Sequence, residues 1–462
     1  MKIVATKLVL ETLSPMAINS GLREFGFDSE LVRDINGLPM LPATAFAGQL
    51  SHHCEKHLGT EMKEKWFGTT VQASTLSISN GTLLDSSNTP VRNFISQEEI
   101  SRDPLLSLCV LERPHHRERV AINDRGVARD TGKFDQILLP AGVRFEVSLH
   151  WSDQSREDGR KLNVDEWHQL LSLIDLRTFA LGSSTRNGLG NIAIIESTEQ
   201  EFDLLGNQDE AERFAQFRSS VRPHEHQLKQ QLDQTRPAFQ PYRSITLKAL
   251  DNWRCGSGVN LLRKEQTSKH YEDYSPDILT YSEPSIIWKN DKAEVSEPKA
   301  VLCGSSIKGM LAHRLAFHLN RHTNRWAETL GEAKHDQWQS KPEQLKELLG
   351  DSDDKHQNSL AGILYVDDAL LNYEHTTLRF HNSIDRFTGG VRQGALYSEE
   401  LLYQPEFTIN LYLTEPYETL EEPLKFALEN TIEDLELGLL PMGAGSGRGT
   451  SLVMAKALQE EA

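Results

Sequence analysis

Runs in which apolar and polar residues alternate give way to runs with apolar residues three and four apart, and this change of period occurs in both halves of the chain. In the first half the alternating runs predict strands near Ile3–Leu13, Thr75–Leu84, Val143–Trp151 and Asn191–Glu196. The helical period predicts helices near Thr44–Leu58 and Val164–Leu181. In the second half Ile307, Met310, Leu311, Leu315 and Leu319 share one helical face, with Ser305 or Ser306 as its natural N-cap. Leu424, Ala427, Leu428, Ile432 and Leu435 share another.

The two halves also match as sequence. "LVLETLSPMAINSG" (8–21) aligns without gaps on "ITLKALDNWRCGSG" (245–258), and "LPATAFAGQL" (41–50) on "LCGSSIKGML" (302–311). "ISNGTLLDS" (78–86) pairs with "YVDDALLNY" (365–373), and "VAINDRGVARDTG" (120–132) with "HNSIDRFTGG" (381–390). Last, "LGSSTRNGLG" (181–190) is the twin of "GAGSGRGT" (443–450). Matched blocks in one order imply a tandem duplication. Each copy reads strand, helix, strand, strand, helix, strand, the split βαβ order of a ferredoxin-like sheet. The expected fold is therefore α+β: two tandem ferredoxin-like (RRM-type, βαββαβ) modules with long insertions and β-hairpin thumbs. The first module spans 1–200, a polar linker 201–240, and the second module 241–462. Insertions near 260–297 and 324–358 are charged and poor in apolar period, which predicts mobile loops or lids.

Bulk properties narrow the chemistry. The 462 residues suffice for two or three domains with real cores. No apolar run reaches transmembrane length, so no membrane role is expected. Four cysteines far apart, with no C-x-x-C pair, argue against zinc ribbons and disulfide frameworks and imply a reducing cytoplasm. The net charge of −18 opposes nucleic-acid binding unless positive charge is concentrated locally. It is concentrated at Arg113, Arg117, Arg119, Arg125, Arg129 and Lys133, within a run holding only three acids. That run reads either as a solvated hairpin of mixed charge or as a surface facing nucleic acid.

The glycine-rich "GAGSGRGT" is not a phosphate loop of the nucleotide kind. Gly449, not a lysine, precedes Thr450, and no G-x-G-x-x-G register fits. The loop follows a helix and precedes a strand, the reverse of the order that puts helix amides on a phosphate.

Taken together, the blocks resemble the RAMP superfamily, the CRISPR-associated backbone subunits built on RRM-type folds. The resemblance rests on "DSELVRDINGLPMLPATAFAGQL", "GSSIKGML", "NSIDRFTGG" and the closing glycine loop. A chain with two such modules looks like the doubled backbone subunit of type III-D-like effectors. The resemblance implies modules that stack along a guide CRISPR RNA, with thumbs that displace one nucleotide of the guide–target duplex at regular spacing. It implies as partners guide RNA, target RNA, neighbouring backbone modules and the large signalling subunit. It also implies endoribonuclease action on target RNA in the complex, with a divalent metal, Mg2+ or Mn2+, assisting attack by the 2′-hydroxyl. Asp28 falls on the family's catalytic aspartate; otherwise it reads as a turn cap. Copy two departs from the pattern here and offers Glu283, Asp277 and Asp273 instead.

The RNA contacts implied are Thr44, Arg113, Arg117, Arg119, Asn123, Arg125 and Arg186 in copy one. In copy two they are Ser305, Ser306, Lys308, Asn382, Arg386 and Arg448. Ser305, Ser306 and Lys308 would offer hydroxyls, free amides and a cation at a helix start; the plain alternative is an N-cap beside a solvent lysine. Asp124 and Asp385 would orient their neighbouring arginines, and a structural ion pair is the competing reading. Few aromatics accompany these residues, so binding should be led by the RNA backbone. Two rival functions follow: a non-catalytic guide-binding subunit, or a guide-processing endonuclease using His381 or His115 and His116. His53 and His57, four apart on a helix, suggest a zinc clasp. Cys54 between them lies on the apolar stripe and reads as core.

Overall fold

The protein, described here from a computed structural model, is defined over residues 2–21, 30–123, 127–152, 163–204, 208–220, 240–263, 275–326, 342–351 and 359–460. Asp28, Asp124, Arg125 and Asp273 lie outside the described residues. The fold is mixed α+β with several small antiparallel sheets.

In the first half, β1 (Lys2–Thr12) leads to α1 (Ala43–Leu58), then to β2 (Leu76–Ile78) and β3 (Thr82–Leu83). A long hairpin follows, β4 (His115–Ile122) with β5 (Ala128–Leu138), then β6 (Arg144–Ser152), α2 (Val164–Ser172) and β7 (Ile192–Asp203). The strands pair in the order β2–β6–β1–β7, with β3 also on β6. Helix α2 stops earlier than its period suggests. The buried Asp175 carboxylate accepts the Ile194 N–H at 2.7 Å, which ties the chain to β7 instead of extending the helix. The expected linker is also partly built. Helix α3 (Gln208–Ser219) lies against β7, with Phe214 and Phe217 at 5.3 and 5.7 Å from Phe202. The Lys7 ammonium from β1 donates to the Ser220 carbonyl at 2.6 Å, just past the helix end.

In the second half β8 (Arg243–Ala249) and β9 (Asn252–Trp253) are followed by four short strands: β10 (Ser282–Glu283), β11 (Ile286–Lys289), β12 (Lys292–Val295) and β13 (Lys299–Leu302). Next come α4 (Gly304–His322), β14 (Leu364–Val366) and β15 (Ala369–Leu370). The hairpin β16 (His375–His381) and β17 (Tyr397–Tyr403), then β18 (Glu406–Leu413), α5 (Glu422–Glu436) and β19 (Val453–Ala455), complete it. Strands β14–β18–β8–β19 pair in that order, the same order as in the first sheet.

Each half has its own core, and the amphipathic faces read from the sequence supply it. Phe46, Leu50, Cys54, Trp167 and Leu171 pack in the first, and Ile307, Leu311, Leu315, Leu428 and Ile432 in the second. Within the insertion near 260–297, the described residues 275–297 include short strands. Its β11–β12 hairpin gives Ile286 and Ala293 to the first core. The Trp288 indole donates to the Gly142 carbonyl at 2.7 Å, beneath the Arg144 guanidinium 4.0 Å away. Two apolar residues and a tryptophan in a charged segment anchor it, with Ile286 alone contributing about 1.5–3 kcal/mol by its burial.

Candidate nucleic-acid interface

The two glycine loops close their halves with the same backbone bonds. In the first, Leu181 N–H donates to Gly190 O, Ser183 N–H to Ala17 O and Leu13 N–H to Asn191 O, at 2.8–2.9 Å. In the second, Met442 N–H donates to Ser451 O, Ala444 N–H to Arg254 O and Leu250 N–H to Leu452 O, at 2.7–3.1 Å. These partners are the ones the sequence repeat pairs. Gly182 (φ 88°) and Gly443 (φ 111°) cannot carry a side chain: a Cβ would sit 2.2 Å from Ala17 O and 2.7 Å from Arg254 O. Each loop then makes one 3-10 turn, Thr185–Asn187 and Ser446–Arg448, bounded by left-handed residues.

The first loop meets the second half. A Cβ on Gly188 would lie 2.5 Å from the Asp368 carboxylate, and one on Gly304 would lie 2.9 Å from Asn187 O. Asp368 accepts the Gly304 N–H at 2.7 Å and so caps α4 from the link between β14 and β15. The cap residue by position is Cys303, without a side-chain bond, so Ser305 and Ser306 sit inside the first turn rather than at the expected N-cap. The first half has a parallel arrangement, in which Asn80 Oδ1 accepts the Ala43 N–H at 2.9 Å at the start of α1.

Arg117, expected at RNA, is only 2% exposed. From β4 it reaches into the second half, donating to Glu283 at 2.8 Å and Asp368 at 2.6 Å. His115 and Tyr281 also donate to or share Glu283, at 2.9 and 2.8 Å. Burial pushes the Glu283 carboxyl up, but Arg117 and His115 outweigh this and hold it at about 2. Burial raises Asp368, with Arg117 only partly offsetting it. This cluster joins the halves and engages both Glu283 oxygens with protein donors. Arg119, half-buried, donates to Ser184 of the first loop at 3.0 Å and to Gln136 at 2.7 Å.

The other expected residues divide by exposure. Lys308 is buried, with its ammonium on Leu364 O at 2.8 Å, so that cation serves the junction of α4 with β14. Arg186 donates to Gly362 O and lies 5.1 Å over the Tyr365 ring. Asn123 closes the first hairpin through its Oδ1, which accepts Val127 N–H at 3.0 Å. Asp277 accepts from the Ser398 backbone and hydroxyl at 2.7 and 2.9 Å, which holds its pKa down. Asp385 does not orient Arg386; it accepts the Phe387 and Thr388 amides at 2.9 Å, capping its own turn. Thr44, Arg113, Ser306, Asn382, Arg386 and Arg448 are exposed, and Ser305 is half-buried. Phe387, on the turn between β16 and β17, is 99% exposed.

His53 is buried, bonded to Gln49 O at 3.0 Å and Thr178 Oγ1 at 3.3 Å, and burial lowers its pKa to about 4. Cys54 is fully buried beside it. Among the described residues no three His, Cys, Asp or Glu side chains come together as a metal site. Nor is any described helix long and apolar enough to cross a membrane. The sequence reading missed Asp368 and Glu399. Asp368 stands one residue beyond the position that the repeat pairs with Asn80, and that match was the available signal.

No curated protein matches the chain. A chain of the type III-B Cmr-beta complex bound to cognate target RNA, solved by cryo-EM, shares 16% identity at a TM-score of 0.29. That match covers 43% of this chain and 61% of the other, so this chain spans about three fifths of that relative's length. The RAMP superfamily model matches residues 9–193 and again 246–453. With both halves matched and most of the chain covered, the protein belongs to the RAMP superfamily.

Proposed function

We propose that this chain is a backbone subunit of a type III RNA-guided effector complex, made of two tandem ferredoxin-like modules that hold guide CRISPR RNA. The carrying observation is the family match over both halves, supported by sheets of one strand order and glycine loops with one bonding pattern. Guide RNA lies on the exposed residues: Thr44, Arg113 and Ser306, then Asn382, Arg386 and Arg448. Neighbouring subunits and target RNA complete the assembly.

Cleavage of the paired target belongs to this proposal through Asp28, which takes the 2′-hydroxyl proton as that oxygen bonds to the adjacent phosphorus; the bond from phosphorus to the 5′-oxygen breaks, and the 5′-oxygen leaves with a proton from water. Glu283 and Asp277 are engaged by protein donors. The step is therefore assigned to Asp28, with a divalent ion, Mg2+ or Mn2+, assisting attack by the 2′-hydroxyl. The rival, a subunit that binds without cutting, differs in one measurement. In the assembled complex, with Mg2+, Mn2+ or EDTA, Asp28→Ala is expected to lower target cleavage by about 100-fold or more while guide binding persists. Equal cleavage with and without that carboxylate would establish the binding-only reading. RNA affinity that does not weaken with salt would remove the RNA reading altogether.

A further inference from the structure

His115 and His381 are each held by a buried glutamate, Glu283 and Glu399, and His318 by Asp434. His52 and His57, exposed on α1, have no such acid. His57 stacks on the His53 ring at 5.9 Å and 17°, and His52 meets that ring edge-on at 5.5 Å. Neither makes a side-chain hydrogen bond among the described residues. His53 itself is spoken for: its Nδ1 donates to the Gln49 carbonyl, so Nε2 accepts from the Thr178 hydroxyl and the ring stays neutral. The three rings line a cleft of about 260 Å³ between the halves. The first glycine loop adds Thr185 and Arg186 to its lining, and β14 adds Tyr365. Arg186 gives Nε to the Gly362 carbonyl. Its two terminal nitrogens and the Thr185 and Tyr365 hydroxyls have no hydrogen-bond partner among the described residues. Lys56, from the same face of α1, donates to the Thr414 carbonyl at 3.0 Å and to Glu415 at 2.8 Å, tying α1 to the second half.

We infer that this cleft binds a small phosphorylated anion, with Arg186, His52 and His57 as its charged donors and Thr185 and Tyr365 as its hydroxyl donors. The inference does not depend on the chain's holding RNA. A guanidinium with both terminal nitrogens open matches the oxygens of a phosphoryl group, and imidazolium and hydroxyl donors complete such a site. The charges around it are unbalanced. Burial first, then the neighbouring Lys56 and His52, hold the His57 pKa below its ordinary value, and Glu415 offsets only part of this. The other nearby acid, Asp367, is already paired with Arg177, which lies 5.8 Å from the Tyr365 ring. A chain of net charge −18 repels anions at a distance, so one that binds needs a local cluster of this kind. Size and charge favour a small ligand over a passing RNA strand. The cleft is smaller than the usual ligand pocket of roughly 300–1,000 Å³. Glu415 beside it would repel the further phosphates of a strand. Since the donors come from both halves, the bound anion would fasten the joint between them.

The test titrates the full chain calorimetrically with inorganic pyrophosphate, and with sulfate, a doubly charged oxyanion that does not itself titrate near neutral pH. Two buffers of different ionisation heat read proton uptake. An anion beside His52 and His57 favours their charged forms, so binding should take up protons and tighten as pH falls from 8 to 6, by about tenfold. One anion per chain is expected. Arg186→Gln is expected to weaken it about tenfold or more, the loss of a charge-assisted bond. His57→Gln, at an exposed position where folding is not at stake, should weaken it similarly and lower the proton uptake. Failure of the wild-type chain to bind either anion at both pH values overturns the inference, as does binding that survives both substitutions. Single-stranded RNA binding, measured in parallel, separates this site from the backbone reading. RNA affinity that falls as far as pyrophosphate affinity in both variants would give the cleft to the strand and overturn the inference, whereas unchanged RNA affinity supports it. If the chain binds the anion and no RNA, the backbone reading fails and this site stands.

Discussion

The two glycine loops have the same backbone and opposite surroundings. Loop one, at 182–190, is walled by Asp368 and by the start of α4 in the second half, whereas loop two, at 443–450, carries Gly447, Arg448 and Gly449 to the surface. Both are fastened by equivalent bonds, Ser183 N–H to Ala17 O and Ala444 N–H to Arg254 O. The repeat therefore sets the loop, and what lies next to it sets its surroundings: a joint between halves in one case, an open surface in the other. The hairpins divide in the same way. The first is anchored across the junction by buried Arg117, while the second ends in the fully exposed Phe387.

The largest expected effect tests the joint. Arg117→Ala leaves Glu283 and Asp368 buried without their guanidinium, and losing one partner of a buried ionic cluster costs about 3–5 kcal/mol. Urea denaturation should show that loss in Arg117→Ala and a change within about 0.5 kcal/mol in Arg448→Ala, whose side chain is exposed. Equal effects would mean that the arginine buried at the joint and the arginine exposed on the second loop contribute alike, contrary to the contrast drawn above.

Acid should also separate the halves. His53 in α1 is buried without an acid, and its pKa falls from the ordinary 6.5 to about 4 through burial. A depressed histidine contributes stability that is complete above 6.5 and is lost as pH falls through about 4, up to about 3 kcal/mol. The matching helix α4 instead carries Arg314 and His318 on Asp434, His318 at 2.6 Å. Burial raises that carboxyl, but the two donors outweigh it, so its contribution is lost only below the usual carboxylate value of 3.8. Hydrogen exchange between pH 7 and 4.5 should therefore show β1 and β6 losing protection before β8 and β18. Simultaneous loss would mean that the halves unfold as one unit, tied by the Arg117 cluster.

Much of this was legible in the sequence. Alternation and the period of 3.6 place β1, β6, α1, α4 and α5, and the internal repeat pairs Ala17 with Arg254 before either carbonyl is seen to accept the loop amide. The apolar stripe through Phe46, Leu50 and Cys54 correctly puts that cysteine in the core. What was not legible lies between elements distant in sequence. Arg117 looks like its exposed neighbour Arg113 until Glu283 and Asp368, 166 and 251 residues away, close on it. Lys308 looks like a phosphate ligand until the Leu364 carbonyl takes its ammonium. The β11–β12 hairpin was hidden because its apolar residues are too few to show a period, though Ile286 finds a place in the other half's core. Charge and spacing predict which groups can bind; only the fold decides which are already occupied.

The smallest effect isolates the neighbour from the loop itself. Gly188 (φ 94°) and Gly449 (φ 77°) close the two 3-10 turns in the same left-handed conformation. Alanine at either position meets the same backbone strain, about 1–2 kcal/mol for a residue with a Cβ. At Gly449 the new methyl meets nothing within 4 Å, whereas at Gly188 it would stand 2.5 Å from the Asp368 carboxylate and 2.9 Å from its amide. Moving Asp368 aside also disturbs the cap it gives Gly304 and the bond it accepts from Arg117. Gly188→Ala should thus be less stable than Gly449→Ala by a further 1–3 kcal/mol or so, the usual cost of overpacking. Thermal melts of the two variants measure that difference directly. In Arg117→Ala the excess should shrink, because Asp368 is then free to turn away, and an excess that stays constant would show that the joint is held by the backbone and not by the buried charges.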